Sequence, residues 1–145
     1  MAELRQRATI NAPVETVYQV ISEVEKYPLF LPDIKKIRRK EDLIEMTVQV
    51  GPFELVMVHR ATFVPNESVT IRLVRGPFKK YNARWLLSTS DEGTDVRYDM
   101  VYELDLKIPG AGGIVGAALD DNTRKTIAAF KRRVATFQAG DTSAR

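Results

Sequence analysis

Residues 94–107 read TDVRYDMVYELDLK, and the reading of this stretch decides the fold. Val96, Tyr98, Met100, Tyr102, Leu104 and Leu106 share one parity, while Arg97, Asp99, Glu103 and Asp105 share the other. Side chains of a strand point alternately to its two faces, so this is an antiparallel strand with one covered and one solvated face. Past a glycine-rich break at 109–116 the period changes. Val115, Leu119, Ile127, Phe130, Val134 and Phe137 mark one helical face, with Arg124, Lys125, Lys131, Arg132 and Arg133 mostly on the other. This predicts a helix running to about Gln138. At 1.5 Å per residue it is ~35 Å long, and no other predicted element can cover a sheet.

Toward the N-terminus, segments 34–41, 43–50, 53–64, 68–75 and 78–90 read as strands. They are separated by Asp42, Gly51-Pro52, Pro65-Asn66-Glu67, Gly76-Pro77 and Asp91-Glu92-Gly93, turn chemistry short enough for hairpins. A first strand at 3–10 precedes a helix start: Asn11 as cap, Pro13 in the first turn, Glu15 at the positive end of the dipole. Val14, Val17, Tyr18, Ile21 and Val24 then recur at helical spacing, and a second short helix or turn follows at 27–31 before Pro32. The expected class is α+β, a curved antiparallel sheet of about seven strands around a long C-terminal helix, with two short helices after strand 1. Residues 1–140 are expected to form one ligand-binding domain and 141–145 a disordered tail. A twisted sheet wrapped on one helix leaves a cavity.

Composition narrows the function. The chain has no cysteine, which removes disulfides, thiolate nucleophiles and Cys-based metal sites. One histidine cannot build a zinc site, so neither metal nor cofactor is expected. A net charge of +3 is mild, and no DNA partner is expected. The N-terminus has no apolar run of signal type, and the stretch 108–119 is well short of the ~20 residues a spanning helix needs. The expectation is a soluble, cytoplasmic protein.

Three stretches carry a resemblance. INAPVETVY (10–18), VEKYPLFLP (24–32) and GPFKKYNARW (76–85), in this element order, resemble the START-like helix-grip superfamily. The branch they are most similar to is the polyketide cyclase/dehydrase and coenzyme-Q-binding group. The resemblance implies a seven-stranded sheet gripping the C-terminal helix and a tunnel for lipids, quinones or polyketides. It also implies a second possibility, since one branch binds the large ribosomal subunit.

Parity names the candidate lining. Met46, Val48 and Val50 point inward, as do Leu55, Met57, His59, Ala61 and Phe63, then Val69, Ile71, Leu73 and Arg75, then Tyr81, Ala83, Trp85 and Leu87. The candidate ligand-binding set is Met46, Met57, His59, Arg75, Tyr81, Trp85, Tyr98, Met100, Tyr102 and Leu119. It is an apolar surface with polar handles, suited to a hydrophobic ligand with one polar end. Methionines adapt to an irregular ligand. An inward Arg75 needs an anionic partner. The segment from Tyr27-Pro28 to Pro32 reads as a packing corner at the mouth of the fold, with the alternative that Tyr27, Phe30 or Leu31 lines the pocket entrance. An ordinary filled core is the plain alternative.

Gly110, Gly112, Gly113, Ile114 and Val115 are expected to form a gate loop. The spacing departs from a nucleotide loop because Val115 stands at the third glycine position. Lys35, Lys36, Arg38, Arg39 and Lys40 crowd one strand, either as a charged edge that blocks aggregation or as a contact to anionic membrane or ribosome. No aromatics interleave there for stacking on RNA bases. No catalytic triad or nucleophile elbow assembles, so no catalytic residue is assigned. The expected function is binding, transport or sequestration of a lipid, isoprenoid quinone or polyketide-like molecule. A polyketide aromatase/cyclase or dehydratase is the first alternative and a ribosome-associating regulatory protein the second.

Overall fold

The computed structural model describes the backbone at 2–105 and 108–143 and the side chains at 3–105 and 108–136. Strand β1 is Ala2–Ile10, helix α1 Val14–Ser22 and the 3-10 helix η1 Val24–Leu29. Strands β2 (Ile34–Lys40), β3 (Leu43–Val50), β4 (Phe53–Val64), β5 (Ser68–Arg75), β6 (Phe78–Ser90) and β7 (Gly93–Leu104) follow, and helix α2 spans Ala111–Ser143. The sheet order is β1-β7-β6-β5-β4-β3-β2, with every pairing antiparallel. Hairpin turns make the meander, and β1 returns to the last strand. This is the helix-grip architecture expected from residues 94–138. Leu106 and Phe137, placed on the inner face and the helix face by pattern, lie outside the residues whose side chains are described.

Local chemistry explains the turns. Glu41 and Asn66 adopt left-handed φ values of 57° and 64°, and Asn tolerates this region well. Gly93 is required where it stands. Its φ is +128°, and a Cβ there would collide with the Ile10 carbonyl and lie 2.8 Å from the Ala12 nitrogen. Beside it, the buried Thr94 hydroxyl donates to the Ala12 carbonyl at 2.7 Å, tying β7 to the entry of α1.

Three local expectations change. Pro13, not Asn11, caps α1; its carbonyl accepts from the Thr16 and Val17 N–H groups at 3.0 and 3.1 Å. The second short helix begins earlier than 27 and carries Pro28 within it. Helix α2 starts at Ala111 and continues past Gln138, three residues into the expected tail.

The inner sheet face and one side of α2 form a single core. Val17, Ile21, Ile44, Val50, Val69, Val115, Phe130 and Val134 are essentially inaccessible. Among the described residues no helix is long and apolar enough to cross a membrane.

Candidate functional site

The interior is not completely filled. A cavity of about 100 Å³ lies between the inner sheet face, η1 and the middle of α2. Of the candidate set, Met46, Met57, His59, Tyr81, Trp85, Tyr98, Met100 and Leu119 line it. Tyr27 and Leu31, from the segment read as a packing corner or as the pocket entrance, line it as well.

Arg75 does not. It is exposed at the end of β5. A bulge between the Val58 and His59 pairings sets Leu73 opposite His59 but Arg75 opposite Val58. One extra residue on β5 reverses the parity and turns Arg75 out with Val58. Tyr102 keeps its inward parity and is 7% exposed, yet it lies away from the cavity. It packs edge-on to Phe78, with its hydroxyl beside Gly116 of α2.

The expected gate is not a loop. Only Gly110, at φ +80°, precedes the helix; Gly112, Gly113, Ile114 and Val115 lie in its first turns. Ala111, Val115 and Leu119 are buried at a four-residue spacing, and this stripe carries the helix through the glycines. Val115 is fully buried, whereas Ile114 is half exposed.

His59 is the most unusual residue of the lining. It is 1% exposed, and neither ring nitrogen has a hydrogen-bond partner among the described residues. Its ring lies 5.2 Å from that of Tyr81. Burial disfavours the imidazolium and lowers its pKa from 6.5 to about 4, so the ring is neutral near pH 7. Burial also raises the hydroxyls nearby: Tyr81 to about 12, and Tyr98 well above its ordinary value, with the adjacent Tyr81 adding to the rise. His59, Tyr81 and Tyr98 are therefore uncharged near pH 7. Each can exchange neutral hydrogen bonds.

One wall is aromatic. Phe130 contacts Trp85 at 5.0 Å and Tyr27 and Phe30 at 5.3 Å, all near edge-to-face, and Trp85 tilts over Tyr98 at 4.5 Å. The Tyr27 hydroxyl donates to the Ile21 carbonyl and is satisfied. The lining also holds groups that the sequence reading leaves out: Asn122, Thr123 and Thr126 of α2, with Asp33 before β2. The Thr123 hydroxyl donates to the Leu119 carbonyl at 2.8 Å, and the Asn122 amide to the Gln49 carbonyl at 3.1 Å. A signal for them exists in the sequence. Polar residues interrupt the apolar face of α2 between Leu119 and Ile127.

On β2, Lys35, Lys36, Arg38 and Lys40 are exposed on an edge strand. Arg39 is engaged instead. It pairs with Glu25 at 3.4 Å and lies 4.6 Å over the Phe63 ring. Among the described residues no group of three His, Asp or Glu side chains gathers as a metal site.

Residues 10–131 match the model of the family described as polyketide cyclase / dehydrase and lipid transport. The chain is similar to the ribosome association toxin RatA of Escherichia coli (strain K12), 27% identical over 114 residues that cover 74% of this chain and 72% of that protein. A solved START superfamily protein from Mycobacterium smegmatis superposes with a TM-score of 0.78 at 20% identity, covering 93% of this chain and 98% of the other. The Zhui aromatase/cyclase from Streptomyces sp. R1128 gives 0.78 at 16% identity, covering 92% and 93%. At such identities these two structures speak to the shared fold.

Proposed function

The chain belongs to the polyketide cyclase / dehydrase and lipid transport family, and from that premise we propose that it holds a small hydrophobic molecule with a neutral polar end between the sheet and α2. The observation that carries this reading is His59, a buried, neutral imidazole at the cavity with both nitrogens unpartnered among the described residues. A buried polar group without a partner costs about 1–3 kcal/mol. A ligand hydroxyl or carbonyl that reaches it recovers part of that cost. The Tyr81 and Tyr98 hydroxyls favour the same class, and the outward Arg75 leaves no cation in the lining for an anionic head. Phenols, quinols and quinones fit; fatty acids fit poorly.

Binding is favoured over turnover by the same chemistry. A pKa of about 4 makes His59 a weak general base at neutral pH. The test is a titration of Trp85 fluorescence with a naphthol, a short-chain quinone and a fatty acid. The reading expects a saturable response to the first two that His59→Leu weakens about fivefold or more, the loss of one neutral hydrogen bond. A response to the fatty acid alone, or none at all, overturns it.

A second reading is contact with the ribosome. It is supported by the name of the RatA relatives and by the exposed Lys35, Lys36, Arg38 and Lys40. Co-sedimentation with ribosomes that falls steeply with salt is the expected result; absent or salt-insensitive sedimentation removes this reading.

A further inference from the structure

We propose that the outer face of the sheet, turned away from the cavity, binds the phosphate backbone of double-helical RNA. The proposal rests on the second reading only in that both need RNA as a partner, and it assigns the contact to a different surface from β2.

Six arginines stand on the outward parity of five adjacent strands: Arg5 and Arg7 on β1, Arg97 on β7, Arg84 on β6, Arg72 on β5 and Arg60 on β4. The register sets Arg7 directly opposite Arg97 and Arg60 directly opposite Arg72. Like charges in directly opposed positions destabilise a strand pair, so folding alone does not favour this arrangement. Three of the six are engaged by acids. Arg97 pairs with Asp99 at 2.8 Å, Arg60 with Asp42 at 3.0 Å, and Arg5 with Glu3 at 3.9 Å. Arg7, Arg72 and Arg84 have no ion-pair partner among the described residues, and all three are exposed.

These three line two shallow grooves on this face, of about 600 and 340 Å³. Their neighbours include short polar groups, Thr9 and Ser88 beside Arg7 and Thr70 and Asn82 beside Arg72 and Arg84, together with the carboxylates of Asp95 in the first groove and of Glu3 and Asp99 in the second. A guanidinium grips a phosphate through two parallel N–H donors, and short hydroxyls and amides add bonds to phosphate and ribose.

The form of the nucleic acid follows from what the face lacks and how broad it is. None of the aromatic residues falls on the outward parity of these five strands. Unpaired bases have nothing to stack on, which disfavours a single strand, and a lipid surface finds no aromatic anchor. A broad sheet face cannot enter the major groove of DNA, which takes a helix or a two-stranded ribbon. The wide, shallow minor groove of A-form RNA offers a surface of matching breadth, edged by phosphates and 2′-hydroxyls.

The test is fluorescence anisotropy of a labelled, blunt-ended RNA hairpin. It compares the unaltered protein, the triple variant R7Q/R72Q/R84Q and the edge variant K35Q/K36Q/K40Q. Each variant's thermal midpoint is measured alongside, with ribosome co-sedimentation in parallel. The arginine variant should bind the hairpin about tenfold or more weakly, and its slope of log affinity against log salt should flatten by about 2–3. Its thermal midpoint should stay level or rise, because two like-charge oppositions are relieved. The edge variant should retain most of the binding. If the edge variant loses binding while the arginine variant keeps it, the proposal is overturned and ribosome contact through β2 stands. It also fails if the protein sediments with ribosomes but ignores the hairpin, if a DNA duplex of the same sequence binds as tightly, or if only phosphatidylserine vesicles bind. Absence of both sedimentation and hairpin binding removes this proposal and the second reading together.

Discussion

Replacing His59 with leucine isolates one group whose burial makes stability depend on pH. In the fold the imidazole titrates near 4 instead of 6.5, with burial as the cause. A group whose folded pKa is depressed leaves stability intact above its unfolded pKa and removes it as pH falls toward the folded one. The sensitive window therefore opens below about pH 6.5 and closes near pH 4. A tenfold change in proton affinity is worth about 1.4 kcal/mol, so the full loss is ~3 kcal/mol, with about 2 already gone at pH 5. The assay is urea unfolding of the ligand-free protein at several pH values, followed by Trp85 fluorescence. The unaltered protein should lose about 2 kcal/mol more than His59→Leu between pH 7 and pH 5. At pH 7 the variant should be at least as stable, because an apolar side chain replaces an unpartnered polar one. Carboxylates titrate in both proteins and cancel in the difference. Parallel loss of stability in the two proteins refutes the reasoning, since His59 would then be hydrated or partnered.

Other positions test the frame around the cavity. Gly93→Ala should destabilise by about 3 kcal/mol or more, because its Cβ meets backbone atoms that cannot yield; denaturant midpoints measure this. Thr94→Val keeps the shape but leaves the Ala12 carbonyl without its hydroxyl donor, and should cost about 1–2 kcal/mol in the same experiment. Phe130→Ala removes the centre of the aromatic wall, should cost about 3–5 kcal/mol, and should shift Trp85 emission to the red as water reaches the indole.

The fold is legible in the sequence because two periods are cleanly written. Alternation in 94–107 and the four-residue stripe from Val115 onward each admit one geometry, and turn residues separate the strands. Most of the lining is legible for the same reason. The misplaced residues share a cause, which is that a pattern does not record local irregularity. Arg75 follows the parity of β5 until a bulge reverses it. The glycines at 112, 113 and 116 suggest a loop, yet buried Ala111 and Val115 flank them, and packing outweighs the roughly 1 kcal/mol a glycine costs a helix. Taken one strand at a time, the outer arginines are ordinary solvated charge. Only the register brings Arg7 against Arg97 and Arg60 against Arg72.

Cavity size is the property least visible in sequence, and it bears directly on how a ligand enters. The void is about 100 Å³, whereas pockets for drug-sized ligands run to roughly 300–1,000 Å³. Something must give way. Lifting α2 would expose Leu119, Ile127 and Phe130, at about 1.5–3 kcal/mol each, and would break the Asn122 bond to β3. The aromatic wall is interlocked edge to face and cannot yield singly. The remaining movable lining is Met46, Met57 and Met100, which are buried, unbranched and held by packing alone. Rotating a methionine about its side-chain bonds costs less than moving a helix. It also opens space beside His59, because Met57 precedes it by two residues on the same face and Met46 of β3 pairs directly with Met57 of β4. The adaptable element of this site is thus a set of flexible side chains on a rigid sheet. The glycines at the head of α2 contribute little, since the helix there is pinned by Val115.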